Sequence, residues 1–239
     1  MPDAVIFDLD GVLLDSERRW NEIKREVVEE SGGRWDESAP TAMMGMSSPE
    51  WSAYLRDELG VPKDAEAIND EVVRRLAASY REELPLLPGA ADAVRALGGR
   101  WPLGLASSSN REVIDDFLRL AALEGEFGVT LSSEQVERGK PAPDVYLEAA
   151  RLLGSDPGRT VAVEDSSNGI RAAAAAGMAV IAVPNEHYPP DDDALELAAA
   201  TIDGVGELTP ELVARVGGES GRGQGVPDAS PTPRPRPSA

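Results

Sequence analysis

Two aspartates, Asp8 and Asp10, follow the apolar run Ala4–Phe7 near the start of the chain. Four apolar residues in a row are typical of a strand that is buried on both faces. Carboxylates at the mouth of such a strand are costly unless a cation balances them. Because the chain has one histidine and no cysteine, the simplest cation is a hard metal such as Mg²⁺, which oxygen atoms bind. Taken alone, the pair is better explained as a polar cap on the strand end than as a catalytic site.

Polar residues also stand directly after two other apolar runs. Ser107 follows residues 102–106, and the adjacent acids Glu164 and Asp165 follow residues 160–163. Ligands of open α/β sheets bind beyond the carboxyl ends of the strands, so we expect these side chains to lie beside the first pair of acids, where one cation would serve both pairs. Ordinary N-capping of the next helix explains Ser107 poorly, since this residue lies before the cap.

A lysine, Lys140, precedes two prolines in the run GKPAP at 139–143. Prolines restrict the backbone, so the position of the lysine is restricted as well. A helix is predicted to begin next to them, and its N-terminus would lie near the ammonium group. A cation fixed in this way neutralises charge where two anions are brought together. An ordinary solvated lysine is the alternative interpretation.

Strands and helices that alternate along the chain must position these residues. Strands are predicted at 4–7, 102–106, 129–131, 160–163 and 179–183, and helices at 90–97, 112–120, 144–153 and 170–176. This alternation predicts an α/β fold with a doubly wound parallel sheet. Apolar residues at helical spacing after the first strand predict an inserted α-helical domain.

The predicted domains follow from these patterns. The α/β core domain takes residues 1–15 and 86–216, and the helical cap domain takes residues 16–85. From residue 217 onward glycine, serine, proline and arginine replace apolar residues, which predicts a disordered tail over 217–239.

Together the motifs resemble those of the haloacid dehalogenase-like hydrolases, most of which are phosphatases. The family motif D-x-D-G-[VT] matches residues 8–12, G-K-P-x-P matches 139–143, and E-D-S-x-x-G-I matches 164–170. A serine at the end of the second strand completes the set. The resemblance covers all but the tail, and it implies a Rossmann-like core with a helical cap, in the β-phosphoglucomutase-like branch.

The resemblance also implies a role for each matched residue. Asp8 would be the nucleophile that forms an aspartyl-phosphate, and Asp10 the general acid and base. Ser107, Ser108 and Lys140 would bind the phosphate. The implied ligands of Mg²⁺ are Asp8, the backbone carbonyl of Asp10, Asp165, and Glu164 either directly or through water.

The predicted function is Mg²⁺-dependent hydrolysis of a small phosphomonoester, such as a sugar phosphate.

Haloacid dehalogenation is disfavoured because it needs neither a metal nor an acid at the position of Asp10. A β-phosphoglucomutase-like enzyme is disfavoured because it carries a cap histidine where Trp20 stands, and the one histidine, His187, is distant in sequence. A non-catalytic binding protein on the same scaffold is the alternative of another class, which the intact acids oppose. No G-x-S-x-G motif supports a serine hydrolase.

The sequence does not identify the substrate. The cap is expected to select it, through Trp20, the methionines Met43, Met44 and Met46, and Arg74 or Arg75. Packing inside the cap is the alternative interpretation for the methionines.

The formal net charge of −20 makes nucleic acid and anionic membranes unfavourable partners. No apolar run approaches the roughly 20 residues that cross a bilayer, and no basic signal-peptide region is expected at the start. We therefore expect a cytoplasmic, monomeric protein whose partner is a small phosphorylated metabolite. Because a phosphate ester is also anionic, the site must supply local positive charge.

Overall fold

A parallel sheet of six strands forms the centre of the computed structural model, which describes residues 1–43, 46–185 and 188–220. The strand order is β3-β2-β1-β4-β5-β6. The strands are β1 Ala4–Phe7, β2 Leu103–Ser107, β3 Val129–Ser132, β4 Thr160–Glu164, β5 Ala179–Ala182 and β6 Ala200–Thr201. The predicted doubly wound α/β fold is confirmed, and the first five strands agree with the predicted runs to within one residue at each end.

The sheet is central because its strands are apolar on both faces. Alternate side chains of a strand point to opposite sides. In β1, Val5 and Phe7 accordingly join the hydrophobic cluster on one face, whereas Ile6 joins the cluster on the other. Val5 is also paired with Leu103 of β2 and with Val161 of β4. Helices therefore cover both faces, as in other parallel sheets.

Four helices follow β1 and form the inserted cap: α1 Glu17–Glu30, α2 Ala39–Met43, α3 Ser48–Asp57 and α4 Ala65–Glu82. The segments that connect the cap to the core run side by side. The amide of Asp15 donates to the carbonyl of Pro85 at 2.8 Å, and the amide of Leu87 donates to the carbonyl of Leu13 at 2.9 Å. The helical cap of the predicted fold is confirmed, while its limits at residues 16 and 85 stay a prediction.

Six further helices belong to the core in the described part of the chain: α5 Ala90–Gly98, α6 Arg111–Leu120, α7 Asp144–Leu153, α8 Ser167–Ala175, α9 Asp192–Leu195 and α10 Pro210–Ser220. Short 3₁₀ helices lie at Ser133–Gln135, Pro157–Arg159 and Val205–Glu207. Across residues 1–43, 46–185 and 188–220, no helix is both long enough and apolar enough to cross a bilayer.

The last helix, α10, continues past residue 217, where we predicted that the tail begins. Gly217 is buried against Pro2, since a β-carbon added at Gly217 would lie 2.7 Å from the β-carbon of Pro2. Glycines weaken the helical pattern of this turn, and the contact that holds it comes from the other end of the chain, so the predicted boundary is too early. Residues 221–239 lie outside the described residues.

Candidate active site

The predicted residues meet at the carboxyl edge of the sheet. Asp8 follows β1, Ser107 ends β2, and Glu164 ends β4 with Asp165 next to it. All four residues are at most 6 % exposed. They come together because β1 lies between β2 and β4 in the sheet, although the three strands are far apart in sequence.

Lys140 is the cation of this cluster. Its Nζ donates to Oδ1 of Asp8 at 2.7 Å and to Oε1 of Glu164 at 2.6 Å. Burial alone lowers the pKa of Lys140, but the two carboxylates outweigh it and raise this pKa above its usual value. Lys140 is therefore charged and buried, and the interpretation of a solvated lysine is wrong.

Glu164 accepts hydrogen bonds at both carboxylate oxygens. Its Oε1 also accepts from the hydroxyl of Tyr146 on α7 at 2.7 Å. Its Oε2 accepts from the amide of Asp165 at 3.0 Å and from the amide and hydroxyl of Ser166 at 3.3 and 3.2 Å. A β-carbon added at Gly169, in the first turn of α8, would lie 1.8 Å from Oε1. The glycine of the motif E-D-S-x-x-G-I thus leaves room for this buried carboxylate.

Three carboxylates crowd around the single lysine. Asp8, Glu164 and Asp165 each place one oxygen within 4.8 Å of the others. Burial raises the pKa of Asp8 to about 8 although Lys140 opposes it, and burial together with Glu164 raises the pKa of Asp165. Lys140 balances one of the three negative charges, and a divalent cation with oxygen ligands would balance the other two. The donor set therefore fits the predicted Mg²⁺.

The carboxylate of Asp10 does not belong to that cluster. Its Oδ1 accepts from the hydroxyl of Ser16 and from Nε1 of Trp20, the latter at 3.1 Å. Its Oδ2 accepts from the hydroxyl of Ser109 at 2.5 Å. These donors belong to the connection to the cap, to α1 and to the loop after β2, so Asp10 is held at the junction of core and cap.

Ser107 and Ser108 lie in different environments. The hydroxyl of Ser107 is fully buried and accepts from the amide of Ser109 at 3.0 Å. The hydroxyl of Ser108 is buried and has no hydrogen-bond partner among the described residues, and Ser108 lies on the wall of the same cavity as Asp8. The amide contact of Ser107 uses its oxygen only as an acceptor, so the hydroxyl groups of both predicted phosphate contacts can still donate to a ligand.

A cavity lies over these groups, between the core and the cap. The core contributes Asp8, Asp10, Ser108, Ser109, Lys140, Asp165 and Ser166 to its wall. The cap contributes Glu17, Trp20, Asn21, Lys24, Pro40, Met43, Met46 and Trp51. The cap is thus placed to contact whatever part of a ligand points away from the core.

Only some of the cap residues that we predicted to select the substrate line this cavity. Trp20, Met43 and Met46 line it, while Met44 and His187 lie outside the described residues. The arginines predicted as alternatives, Arg74 and Arg75, are absent from the cavity wall. They form ion pairs within the cap, both with Glu71 and the second also with Glu30, because the charged face of α4 points to solvent.

Five polar residues of the cavity wall were not predicted as site residues from the sequence: Glu17, Asn21, Lys24, Ser109 and Ser166. Charged residues between apolar ones on a helix are typical of a solvated face, which hides such residues. Lys24 does carry a signal, because it lies four residues after Trp20 and three before Val27, and so falls on the apolar stripe of α1.

A family match decides the assignment. The model of the haloacid dehalogenase-like hydrolases matches residues 2–177. The chain belongs to this family. Hexitol phosphatase B of Escherichia coli K12 is 34 % identical to it over 210 residues, which cover 86 % of this chain and 94 % of the relative. Fructose-1-phosphate phosphatase YqaB of the same bacterium is 34 % identical over 185 residues, which cover 75 % of this chain and 95 % of the relative.

A solved structure of the family has the same fold. The β-phosphoglucomutase of Clostridium difficile matches this hydrolase with a TM-score of 0.79, over 92 % of this chain and 98 % of that one, at 22 % identity. At this identity the likeness concerns the fold alone. The matches together confirm the predicted family and branch, and they confirm an enzyme of the phosphatase type among its hydrolases.

Proposed function

We propose that this hydrolase is a Mg²⁺-dependent phosphatase that cleaves a small phosphomonoester through an aspartyl-phosphate on Asp8. The observation that carries the proposal is the separation of two acids in one cavity. Asp8 is bonded to Lys140 in the buried cluster, whereas Asp10 is bonded to hydroxyl and indole donors at the junction with the cap. A phosphoryl group between them would meet a nucleophile on one side and a proton donor on the other.

The proposed reaction has two steps, in which Asp10 first gives a proton and then takes one back. First, a carboxylate oxygen of Asp8 attacks phosphorus, the bond from phosphorus to the alcohol oxygen breaks, and Asp10 gives that oxygen a proton. Next, Asp10 takes a proton from a water molecule, whose oxygen attacks phosphorus and releases Asp8 and inorganic phosphate. Lys140 and the hydroxyl groups of Ser107 and Ser108 bind the non-bridging oxygens, where negative charge accumulates.

The proposed metal ligands are Asp8 and Asp165, with the backbone carbonyl of Asp10 as a further predicted ligand. When bound, Mg²⁺ would reduce the repulsion between the attacking carboxylate and the phosphate. Glu164 already accepts hydrogen bonds at both oxygens. We therefore propose that it holds Lys140 in place and contacts the metal only through a water molecule. A β-carbon in place of the hydrogen of Gly11 would lie 1.8 Å from Oδ2 of Asp165, which explains the glycine in the first motif.

The mutase alternative has less support. Trp20 occupies the position where the resemblance leads us to expect a cap histidine in a mutase, and its indole nitrogen can donate a proton in a hydrogen bond but cannot serve as a base. That nitrogen is already bonded to Asp10. A non-catalytic binding protein would have no reason to keep both acids and Lys140 together in one cavity.

The substrate class is proposed from the relatives. A hexitol phosphatase and a fructose-1-phosphate phosphatase are each 34 % identical to this hydrolase, which supports a phosphorylated sugar or sugar alcohol. The cytoplasmic location and the monomeric state stay predictions.

A panel of phosphomonoesters with and without Mg²⁺ tests the proposal. We expect release of inorganic phosphate that stops in excess EDTA and returns with Mg²⁺, because the carboxylate cluster lacks two positive charges without the metal. The panel includes β-glucose 1-phosphate, from which a mutase would form glucose 6-phosphate instead of phosphate. Hydrolysis that survives thorough chelation, or isomerisation in place of hydrolysis, would contradict the proposal.

A further inference from the structure

Lys24, on α1, is a buried cation that forms no ion pair within 4.0 Å in the described part of the chain. The residue is 7 % exposed, and its Nζ lies 5.1 Å from the ring centroid of Trp20 and 4.9 Å from that of Trp51. Within the described residues, neither a hydrogen bond nor an ion pair reaches Nζ. Burial lowers the pKa of Lys24 to about 8. The two aromatic faces compensate only part of the lost hydration, so the ammonium group retains unsatisfied donors on the cavity wall.

Glu17 lies two helical turns before Lys24, on the same face of α1, and lines the same cavity. In the described part of the chain, its carboxylate likewise accepts no hydrogen bond and forms no ion pair within 4.0 Å. Burial and the nearby Asp10 raise the pKa of Glu17 to about 7, although Lys24 opposes this. The cap wall therefore presents a donor and an acceptor that are both unsatisfied and that do not satisfy each other.

We propose, on the basis of the phosphatase function proposed above, that Lys24 and Glu17 form a subsite for the hydroxyl groups of the substrate's alcohol part. Lys24 donates to one hydroxyl oxygen, and Glu17 accepts from a neighbouring hydroxyl. The subsite thereby selects uncharged, hydroxyl-rich alcohols over alcohols that carry a second anionic group.

The charges of the cap wall favour hydroxyl groups over a second anion. A carboxylate or second phosphate next to Lys24 would also lie near Glu17, which repels it once it is charged, above its pKa of about 7. A vicinal diol, in contrast, offers an oxygen that accepts and a hydrogen that donates. Apolar alcohols would leave the buried ammonium group of Lys24 without an acceptor, which is unfavourable. Apolar alcohols also cannot pack on the faces of Trp20 and Trp51 that Lys24 covers.

The test compares three esters in the full-length protein with Mg²⁺. Sorbitol 6-phosphate carries hydroxyl groups, p-nitrophenyl phosphate carries none, and phosphoglycolate carries a carboxylate. The variants are Lys24→Met, which keeps the length of the side chain, Glu17→Gln, and the control Lys63→Met at an exposed lysine. The quantity measured is the ratio of kcat/KM between two esters, because a general loss of activity cancels in this ratio.

We expect the ratio of sorbitol 6-phosphate to p-nitrophenyl phosphate to fall about 10- to 100-fold in Lys24→Met, the range for a hydrogen bond to a charged group. In Glu17→Gln the ratio of phosphoglycolate to sorbitol 6-phosphate should rise, since the repulsive charge is gone. In Lys63→Met both ratios should equal those of the wild-type protein.

Three other results would overturn the inference. Ratios in Lys24→Met and Glu17→Gln that match the control would show that the pair does not contact the alcohol part, while hydrolysis itself, and so the proposed function, would stand. A wild-type protein that prefers phosphoglycolate to sorbitol 6-phosphate would contradict the selection against anions. Absence of hydrolysis of all three esters by the wild-type protein would contradict the proposed function, and this inference with it.

Discussion

Asp8 and Asp10 differ in the groups that hold them. Asp8 shares Lys140 with Glu164 and lies beside Asp165, whereas Asp10 accepts hydrogen bonds from the neutral groups of Ser16, Trp20 and Ser109. A carboxylate fixed beside a cation is suited to attack an electrophile. One held by neutral donors can gain or lose a proton without breaking an ion pair. Different environments thus allow two acids of one motif to take different roles.

The buried charge of Lys24 should reduce the stability of the protein at neutral pH. A pKa lowered from 10.5 to about 8 corresponds to roughly 3 kcal/mol, of which the cation–π contacts offset about 1–2 kcal/mol. Lys24→Met should therefore raise the free energy of unfolding by about 1–2 kcal/mol at pH 7, as measured by denaturant titration.

The pH dependence of this effect has a defined sign. Below pH 8 Lys24 is charged in both the folded and the unfolded chain, so the full cost of burial applies. Between pH 8 and about 10.5 the unfolded chain binds more protons, and the wild-type protein gains stability relative to Lys24→Met as pH rises. The advantage of Lys24→Met should shrink over this range. A constant difference from pH 7 to pH 10 would show that the lysine is not buried as described.

The residues at strand ends were predictable from the sequence because an apolar run fixes where the strand stops. Asp8, Ser107, Glu164 and Asp165 were found in this way, and Lys140 through its prolines. The sequence could not show that the oxygen of Ser107 accepts from its own loop while the hydroxyl of Ser108 has no partner among the described residues. This depends on the path of the turn after β2, which no apolar pattern encodes.

The start of α8 is packed directly onto the carboxylate that ends β4. The helix begins next to Glu164 because the hydroxyl of Ser166 accepts from the amide of Gly169 at 3.1 Å and so caps the first turn. A methyl group at Gly169 would overlap the carboxylate, with the nearest atom at 1.8 Å. The strand end, the helix start and the lysine contact are therefore one packed unit.

Gly169→Ala should destabilise the protein and lower its phosphatase activity. Overpacking in a rigid site costs about 1–3 kcal/mol, and relief of the overlap would move Glu164 away from Lys140. The control is Gly125→Ala, since a β-carbon there has no atom within 4 Å. The readouts are thermal unfolding and kcat with p-nitrophenyl phosphate. Equal behaviour of the two variants would contradict the packing of α8 against Glu164.

Length decided which elements could be predicted. The strands β1 to β5 have four or five residues each and read as apolar runs, but β6 has two residues and carries no pattern of its own. The helix α2 has five residues. It lies between Gly32-Gly33 and the methionine-rich residues 43–46, and it is also too short to show a helical pattern. Such short elements are held by their neighbours and not by their own periodicity.

The cap and the core are joined by polar contacts besides the two connecting segments. Ser48 on α3 donates to Oδ1 of Asn110 in the core at 2.9 Å, and Arg81 on α4 donates to Asp116 on α6 at 2.8 Å. These contacts join the helices of the cap to the loop after β2 and to α6 of the core. The net charge of the chain is −20, and Lys140 and Lys24 supply positive charge on the cavity wall beside the acids there.

The final turn of α10 should contribute to stability, contrary to the tail boundary predicted from the sequence. A chain that ends at residue 216 loses the packing of Gly217 on Pro2, whereas one that ends at residue 220 keeps it. We expect the shorter chain to unfold at a temperature lower by about 2–4 °C or more. Differential scanning calorimetry of the two truncated chains and the full-length protein makes the comparison. Equal melting temperatures of the two truncated chains would restore the boundary at 217.

The mass of the intact protein after brief incubation with p-nitrophenyl phosphate tests the central claim most directly. Asp10→Asn keeps the nucleophile, and p-nitrophenolate leaves without protonation, so this variant should form the aspartyl-phosphate but hydrolyse it slowly for want of a base. Asp8→Asn lacks the nucleophile and should gain no mass. One added phosphoryl group on Asp10→Asn and none on Asp8→Asn is the predicted result. Comparable phosphorylation of Asp8→Asn would contradict the account.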